Sequence, residues 1–139
     1  MALRICMTLK FQPKRMAILI CDFRGFVEPE MIKMRPVVVL RAHKRNGKLV
    51  TIVPLSTTQP THLEDFHVEL PFCPLPGVLS STRVWAKCDM IYTVSIDRLA
   101  KYRFQSESFS LSVGGQEFSA IERGVLSGLG LANQLKQLP

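Results

Sequence analysis

Residues 16–23, MAILICDF, are apolar almost without a break, the pattern of a short buried strand. RGFVEPEMIK follows, and its glycine and proline mark a loop. RPVVVLRA at 35–42 and KLVTIVPLS at 48–56 are rich in β-branched residues. The Asn46–Gly47 pair between them prefers the φ > 0 angles of a tight hairpin, so these two runs are predicted to pair antiparallel. Pro54 has no N–H to give to a ladder, which puts that end of the second strand at an edge or a bulge. After the polar loop TTQPTHLED, residues 66–70 alternate: Phe66, Val68 and Leu70 point one way, His67 and Glu69 the other, as in a half-exposed strand.

Pro71, Pro74, Pro76 and Gly77 make the next linker, and RVWAKCDMIYTV at 83–94 reads as another strand or a bent pair. SIDRLAKY has the look of a short helical turn. Near the end, Phe118, Ile121, Val125, Leu126 and Leu129 follow the spacing of an amphipathic helix, and Ser119 with Glu122 matches a capping box. Gly124 and Gly128 suit close packing of that helix on a sheet better than a membrane contact, because Glu122 and Arg123 stand beside them. The predicted fold is mainly β: a small, strongly bent antiparallel sheet, closed or nearly closed into a barrel, with a C-terminal helix over its open face.

Composition narrows the picture. A chain of 139 residues that is 47% hydrophobic is the size of one domain, so residues 1–139 are read as a single unit. The net charge of +7 favours a polyanionic partner, with nucleic acid the first candidate, although the lysines and arginines form no single tract in the sequence. Cys6, Cys21, Cys73 and Cys88 have neither CxxC spacing nor a histidine at metal-ligand spacing, and read as reduced, apolar fillers of a cytosolic protein. The start of the chain is cut by Arg4 and Lys10 before a signal-peptide core could form, and no apolar stretch reaches the ~18 residues needed to span a bilayer.

Four pieces then stand in a recognisable order: "CDF" at 21–23, "PEMIKMRPVVVL" at 29–40, "TIVPLSTT" at 51–58 and "WAKCDMIYTVSIDRL" at 85–99. Over roughly residues 12–100 the chain resembles the PemK/MazF family of toxin endoribonucleases. The resemblance implies an SH3-like barrel with a C-terminal helix and a homodimer. It also implies cleavage of single-stranded RNA with no metal or other cofactor, and inhibition by a cognate antitoxin that occupies the RNA groove. Position by position, the family's arginine before proline falls on Arg35, its loop glutamate on Glu30, its strand-closing hydroxyl on Ser56 with Thr57 beside it, and its Cys-Asp acid on Asp89. Lys87 and Lys33 are the implied substrate-binding cations. Pro29 stands where one branch has a histidine, Lys87 where that branch has an arginine, and PKRMAI lacks the glycine that usually opens the first strand.

Those residue types suit the chemistry. Cleavage by the 2′-hydroxyl of RNA needs a base for that hydroxyl, an acid for the leaving 5′-oxygen, and donors around the charge that builds on phosphorus. Arg35 offers a planar fork that stays charged, and Ser56 and Thr57 can hold another phosphate oxygen. Glu30 or Asp89 is the candidate base, and Lys87 a candidate acid or clamp. Each has a plainer role available: a solvated loop charge for Glu30, an ion pair with Lys87 or Arg98 for Asp89, a solvent-facing strand end for Arg35. Trp85, Tyr92 and Phe23 either stack on bases or belong to the core. His43, His62 and His67 fall at no matched position. The alternative function is a non-catalytic nucleic-acid- or gyrase-binding module on the same barrel; a further one is a basic surface for an acidic protein alone.

Overall fold

A computed structural model describes residue 9 and residues 12–135. Among the described residues there are nine strands: β1 (Ala17–Asp22), β2 (Met34–Ala42), β3 (Leu49–Ser56), β4 (His67–Glu69), β5 (Trp85–Lys87), β6 (Tyr92–Ser95), β7 (Leu99–Phe104), β8 (Glu107–Phe109) and β9 (Leu111–Ser112). Two helices follow, α1 (Gly115–Gly128) and α2 (Ala132–Leu135). The sheet runs β4-β5-β3-β2-β1-β7-β8, with β6 added to β3 and β9 to β1. Every named strand pairing is antiparallel. The mainly β class and the terminal helix match the sequence reading, but the sheet stays open, since no described pairing joins β4 to β8.

Both faces of the central strands are covered, which explains why β1 to β3 are apolar almost throughout rather than alternating. One face gathers Ile18, Val38, Val53, Leu55, Ala86 and Cys88 under Phe118 and Ile121 of α1. The opposite face gathers Leu19, Cys21, Phe23, Val37, Val39, Val50, Ile52, Val94 and Leu99. Each fully buried aliphatic side chain stabilises by about 1.5–3 kcal/mol, so burial on both faces holds the central strands in place.

Pro54 lies in the middle of the sheet rather than at an edge, paired with Val37. It is tolerated because β3 changes partner there: β6 pairs through Ile52 and β5 begins at Leu55, so residues 53 and 54 have no ladder on that side. The hairpin turn also differs from expectation. Residues 43–48 form a longer loop in which neither Asn46 nor Gly47 has positive φ. His43 Nδ1 instead accepts the backbone amides of Arg45 (3.2 Å) and Asn46 (2.9 Å), and Asn46 Oδ1 accepts that of Lys48 (3.0 Å). These local bonds outcompete the two-residue turn.

The residues SIDRLAKY split in two. Ser95 caps a single 3-10 turn, Ile96–Arg98, and the chain then enters β7, because Leu99 and Ala100 are buried against β1. The capping box is not used either. α1 starts four residues before Ser119, with Gly114 at its N-cap, and Glu122 is taken by Arg15 at 3.0 Å. The glycines of α1 do serve close packing: a Cβ on Gly124 would lie 2.8 Å from Cys88 Sγ, and one on Gly128 would lie 3.0 Å from the Asp89 Cα. Burial pushes the Cys21 and Cys88 thiols up to about 12, which leaves both as inert fillers. Cys6 lies outside the described residues.

Candidate active site

Strand registers bring two of the implied residues close to a common line, at the adjoining ends of β2 and β3. Cys21 is opposite both Leu99 and Arg35, and Trp85 is opposite both Ser56 and Glu69. The β2–β3 register runs Val37↔Pro54, and continuing it by two residues, within both strands, sets Arg35 opposite Ser56. A lateral row therefore crosses the sheet as Leu99, Cys21, Arg35, Ser56, Trp85, Glu69. Residues directly opposite share a face and stand about 5 Å apart at Cα. The row starts buried and opens at Arg35, which is exposed, and Ser56, which is half-buried.

Ser56 Oγ accepts the backbone amide of Thr58 at 3.1 Å, which fixes the hydroxyl at the strand end, with Thr57 exposed beside it. Lys87 follows Trp85 by two residues on β5, opposite His67, so it shares the sheet face of Trp85 and Ser56. Lys33 stands one rung to the other side, its carbonyl accepting the Phe23 amide at 3.4 Å. Arg35 and Lys87 thus belong to strands flanking Ser56, with Lys33 exposed in the bend two residues before Arg35.

The row also shows residues that the sequence alone does not single out. Arg83, two positions before Trp85, lies over the indole ring with its Cζ 5.1 Å from the centroid. Its guanidinium forks onto Glu69, Nε donating to Oε2 and Nη2 to Oε1, and that contact holds the Glu69 carboxyl below the usual range. The alternation of residues 66–70 exposes Glu69 in advance, but only the β4–β5 register reveals its partner. Trp85 is 3% exposed, as a core anchor should be. Its buried Nε1 has no hydrogen-bond acceptor among the described residues.

Glu30 sits on the loop that leads into Arg35. Its backbone amide donates to the Val27 carbonyl at 2.9 Å and its Oε1 accepts the Val27 amide at 3.0 Å, so the carboxylate is tied to its own loop. The loop is anchored in turn: Tyr92 Oη accepts the Met31 amide at 3.0 Å, and Phe23, Phe26 and Tyr92 pack ring against ring. Phe23 and Tyr92 are therefore committed to the fold. Arg98 closes the base of the loop by donating to the carbonyls of Asp22 (2.8 Å) and Arg24 (3.0 Å) and covering Phe26. Hydrogen bonds from Arg24 hold the Asp22 carboxyl below its ordinary range.

Asp89 is not on the row. It lies in the turn after β5, where the Met90 amide donates to the Lys87 carbonyl, and the last turn of α1 presses on its backbone. It follows Trp85 by four residues, the last two of them in the turn beyond β5. It is exposed and, among the described residues, forms no ion pair with Lys87 or Arg98. The row can hold a phosphodiester: a forked cation and a fixed hydroxyl face solvent side by side, with two lysines nearby.

Comparison with known proteins fits this geometry. Residues 14–112 match the family described as the PemK-like, MazF-like toxin of type II toxin–antitoxin systems. The chain is 30% identical to the protein YifN of Escherichia coli K12 over 147 residues, covering 88% of this chain and 95% of that one. Its fold is similar to MazF from Deinococcus radiodurans, with a TM-score of 0.61 at 18% identity over 87% of this chain and 99% of that one. It is similar also to a mycobacterial endoribonuclease solved with its cognate antitoxin, with a TM-score of 0.58 at 24% identity over 86% and 96%.

Proposed function

The chain belongs to the PemK-like, MazF-like toxins of type II toxin–antitoxin systems, and from that membership we propose that it is a metal-independent endoribonuclease acting on single-stranded RNA in the cytoplasm. What supports this reading most is the β2–β3 register, which continued two residues past Val37↔Pro54 puts the exposed Arg35 beside Ser56 at the strand ends. Arg35 takes the non-bridging oxygens of the scissile phosphate and stabilises the charge that develops there, usually the largest catalytic contribution. Ser56 and Thr57 orient the same phosphate. Glu30 removes the 2′-hydroxyl proton, that oxygen bonds to phosphorus, and the 5′-oxygen leaves with a proton supplied by Lys87. The products carry 2′,3′-cyclic phosphate and 5′-hydroxyl ends.

A cognate antitoxin is the proposed inhibitor, since two of the D. radiodurans MazF structures and the mycobacterial one are complexes of that kind. A homodimer is the proposed assembly: the edge strand β4 is flanked by exposed Leu63, Phe72 and Leu79, and edges of this kind seek a partner. Incubation of purified protein with single-stranded RNA in EDTA tests the activity. Cleavage is expected to proceed undiminished; RNA bound but left intact would instead support the non-catalytic binding module.

A further inference from the structure

Residues 31–63 carry six lysines and arginines and no aspartate or glutamate, so one hairpin and its flanks account for six of the seven net positive charges. Positions scattered in sequence gather in the fold. Lys33 and Arg35 lie at the catalytic end of β2, and Arg41, Lys44, Arg45 and Lys48 lie at the far end. All four of the latter are exposed, and the ion pairs among the described residues engage Arg15, Arg24 and Arg83 instead.

The far end is shaped as well as charged. A concavity of about 380 Å³ is lined by Arg41, Ala42, His43, Lys44, Arg45 and Thr51. The register shift between Val39 and Arg41 turns Arg41 onto the side of Thr51, whose Oγ1 is 2.8 Å from Thr93 Oγ1. The hydrogen bonds within loop 43–48 and the bond from Gln12 Nε2 to the His43 carbonyl (3.2 Å) hold the loop open. Because His43 Nδ1 accepts two amides, the neutral ring carries its proton on Nε2 and adds a donor.

We propose that this concavity is a second anion site that grips the RNA backbone several nucleotides from the cut. The proposal rests on the RNA-cleaving reading. Thr51 and Ile52 point to opposite faces of β3, and Ile52 shares the face of Arg35, so the two sites cannot hold one phosphate. Six residues of β2 separate Arg35 from Arg41, about 20 Å at strand spacing, which a stacked strand covers in about six nucleotides at 3.4 Å each. Phosphate fits the lining better than a protein does. Guanidinium forks match phosphate oxygens, whereas the cores of protein interfaces are depleted of charge and need apolar anchors, of which Ala42 is the sole one here. Backbone contacts position without reading sequence, so the site raises affinity and leaves the cleavage motif unchanged.

The test compares wild type with the R41E/K44E/R45E variant by fluorescence anisotropy on uncleavable 2′-O-methyl RNAs of 20 and 5 nucleotides, with thermal melting to check the fold. The variant is expected to lose at least tenfold in affinity for the 20-mer and to show a salt slope shallower by about 2, as for three lost phosphate contacts on a single strand. Affinity for the 5-mer, and kcat/KM on a 5-mer spanning a mapped cut, should be unchanged. Equal losses at both lengths, or none, overturn the site. So does loss confined to binding of an acidic protein partner, or saturation of the wild-type concavity by inorganic phosphate alone without competition from the 20-mer. A protein that cuts no RNA yet shows the length-dependent loss retires the nuclease reading and keeps this site.

Discussion

Arg35→Ala is expected to lower kcat on a fluorogenic RNA by about 10²–10³, the usual effect of removing one preorganised donor from a developing negative charge. Arg35→Lys should recover only a fraction, because an ammonium is a point charge and cannot place two parallel hydrogen bonds on one phosphate. Neither change should unfold the protein. Arg35 is exposed at the head of β2, and exposed substitutions away from special features stay within about 0.5 kcal/mol. Single-turnover kinetics with a parallel melting curve separate the two effects. A variant with the wild-type rate would remove Arg35 from the chemistry and leave the row a structural feature only.

The two carboxylates are expected to separate sharply. Glu30→Gln should cost about 10²–10⁴ in rate, the range for a lost general base, and Asp89→Asn less than about tenfold. The geometry supports this order. Glu30 lies on the loop that feeds Arg35 and is oriented by its bond to the Val27 amide, whereas Asp89 sits four positions beyond the Trp85 rung, beneath the end of α1. Rates measured for both variants on one substrate decide it. The reverse pattern would give the base role to Asp89 and reduce Glu30 to a loop-forming acid.

The fold was most legible where its determinants are local. RPVVVL and KLVTIV announce β2 and β3 through β-branching alone, and the alternation of residues 66–70 assigns Val68 and Leu70 to the core correctly. Where distant pairing decides, the sequence misleads. Leu99 to Tyr102 look helical beside Ser95–Asp97 but become a strand because β1 offers them a buried edge. Glu122 leaves its expected capping role for Arg15, 107 residues away in the chain. Asn46–Gly47 gives up its tight turn to side-chain bonds from His43, and the widened loop is what opens the basic concavity.

The candidate site divides along the same line. Arg35 before Pro36 and Ser56 at the end of the neighbouring strand are picked out by the family resemblance, since by themselves a strand-end cation and a strand-end hydroxyl have ordinary structural uses. That the two face each other, and that Arg83 and Glu69 flank them over Trp85, depends on registers between strands far apart in sequence. Asp89 followed the Cys-Asp motif, yet the turn that carries it is placed by Gly128 and the packing of α1.

The most direct test of a rung that assembles around one phosphodiester uses an RNA containing a single mapped cleavage site. One copy is all-ribose, and the other carries a 2′-deoxy substitution at the nucleotide whose hydroxyl would attack; both are incubated in EDTA and the products analysed by mass spectrometry. The ribose copy is expected to yield a 2′,3′-cyclic phosphate and a 5′-hydroxyl, and the deoxy copy to stay whole. Cleavage of the deoxy copy at the same bond, or 5′-phosphate ends from the ribose copy, would contradict the account.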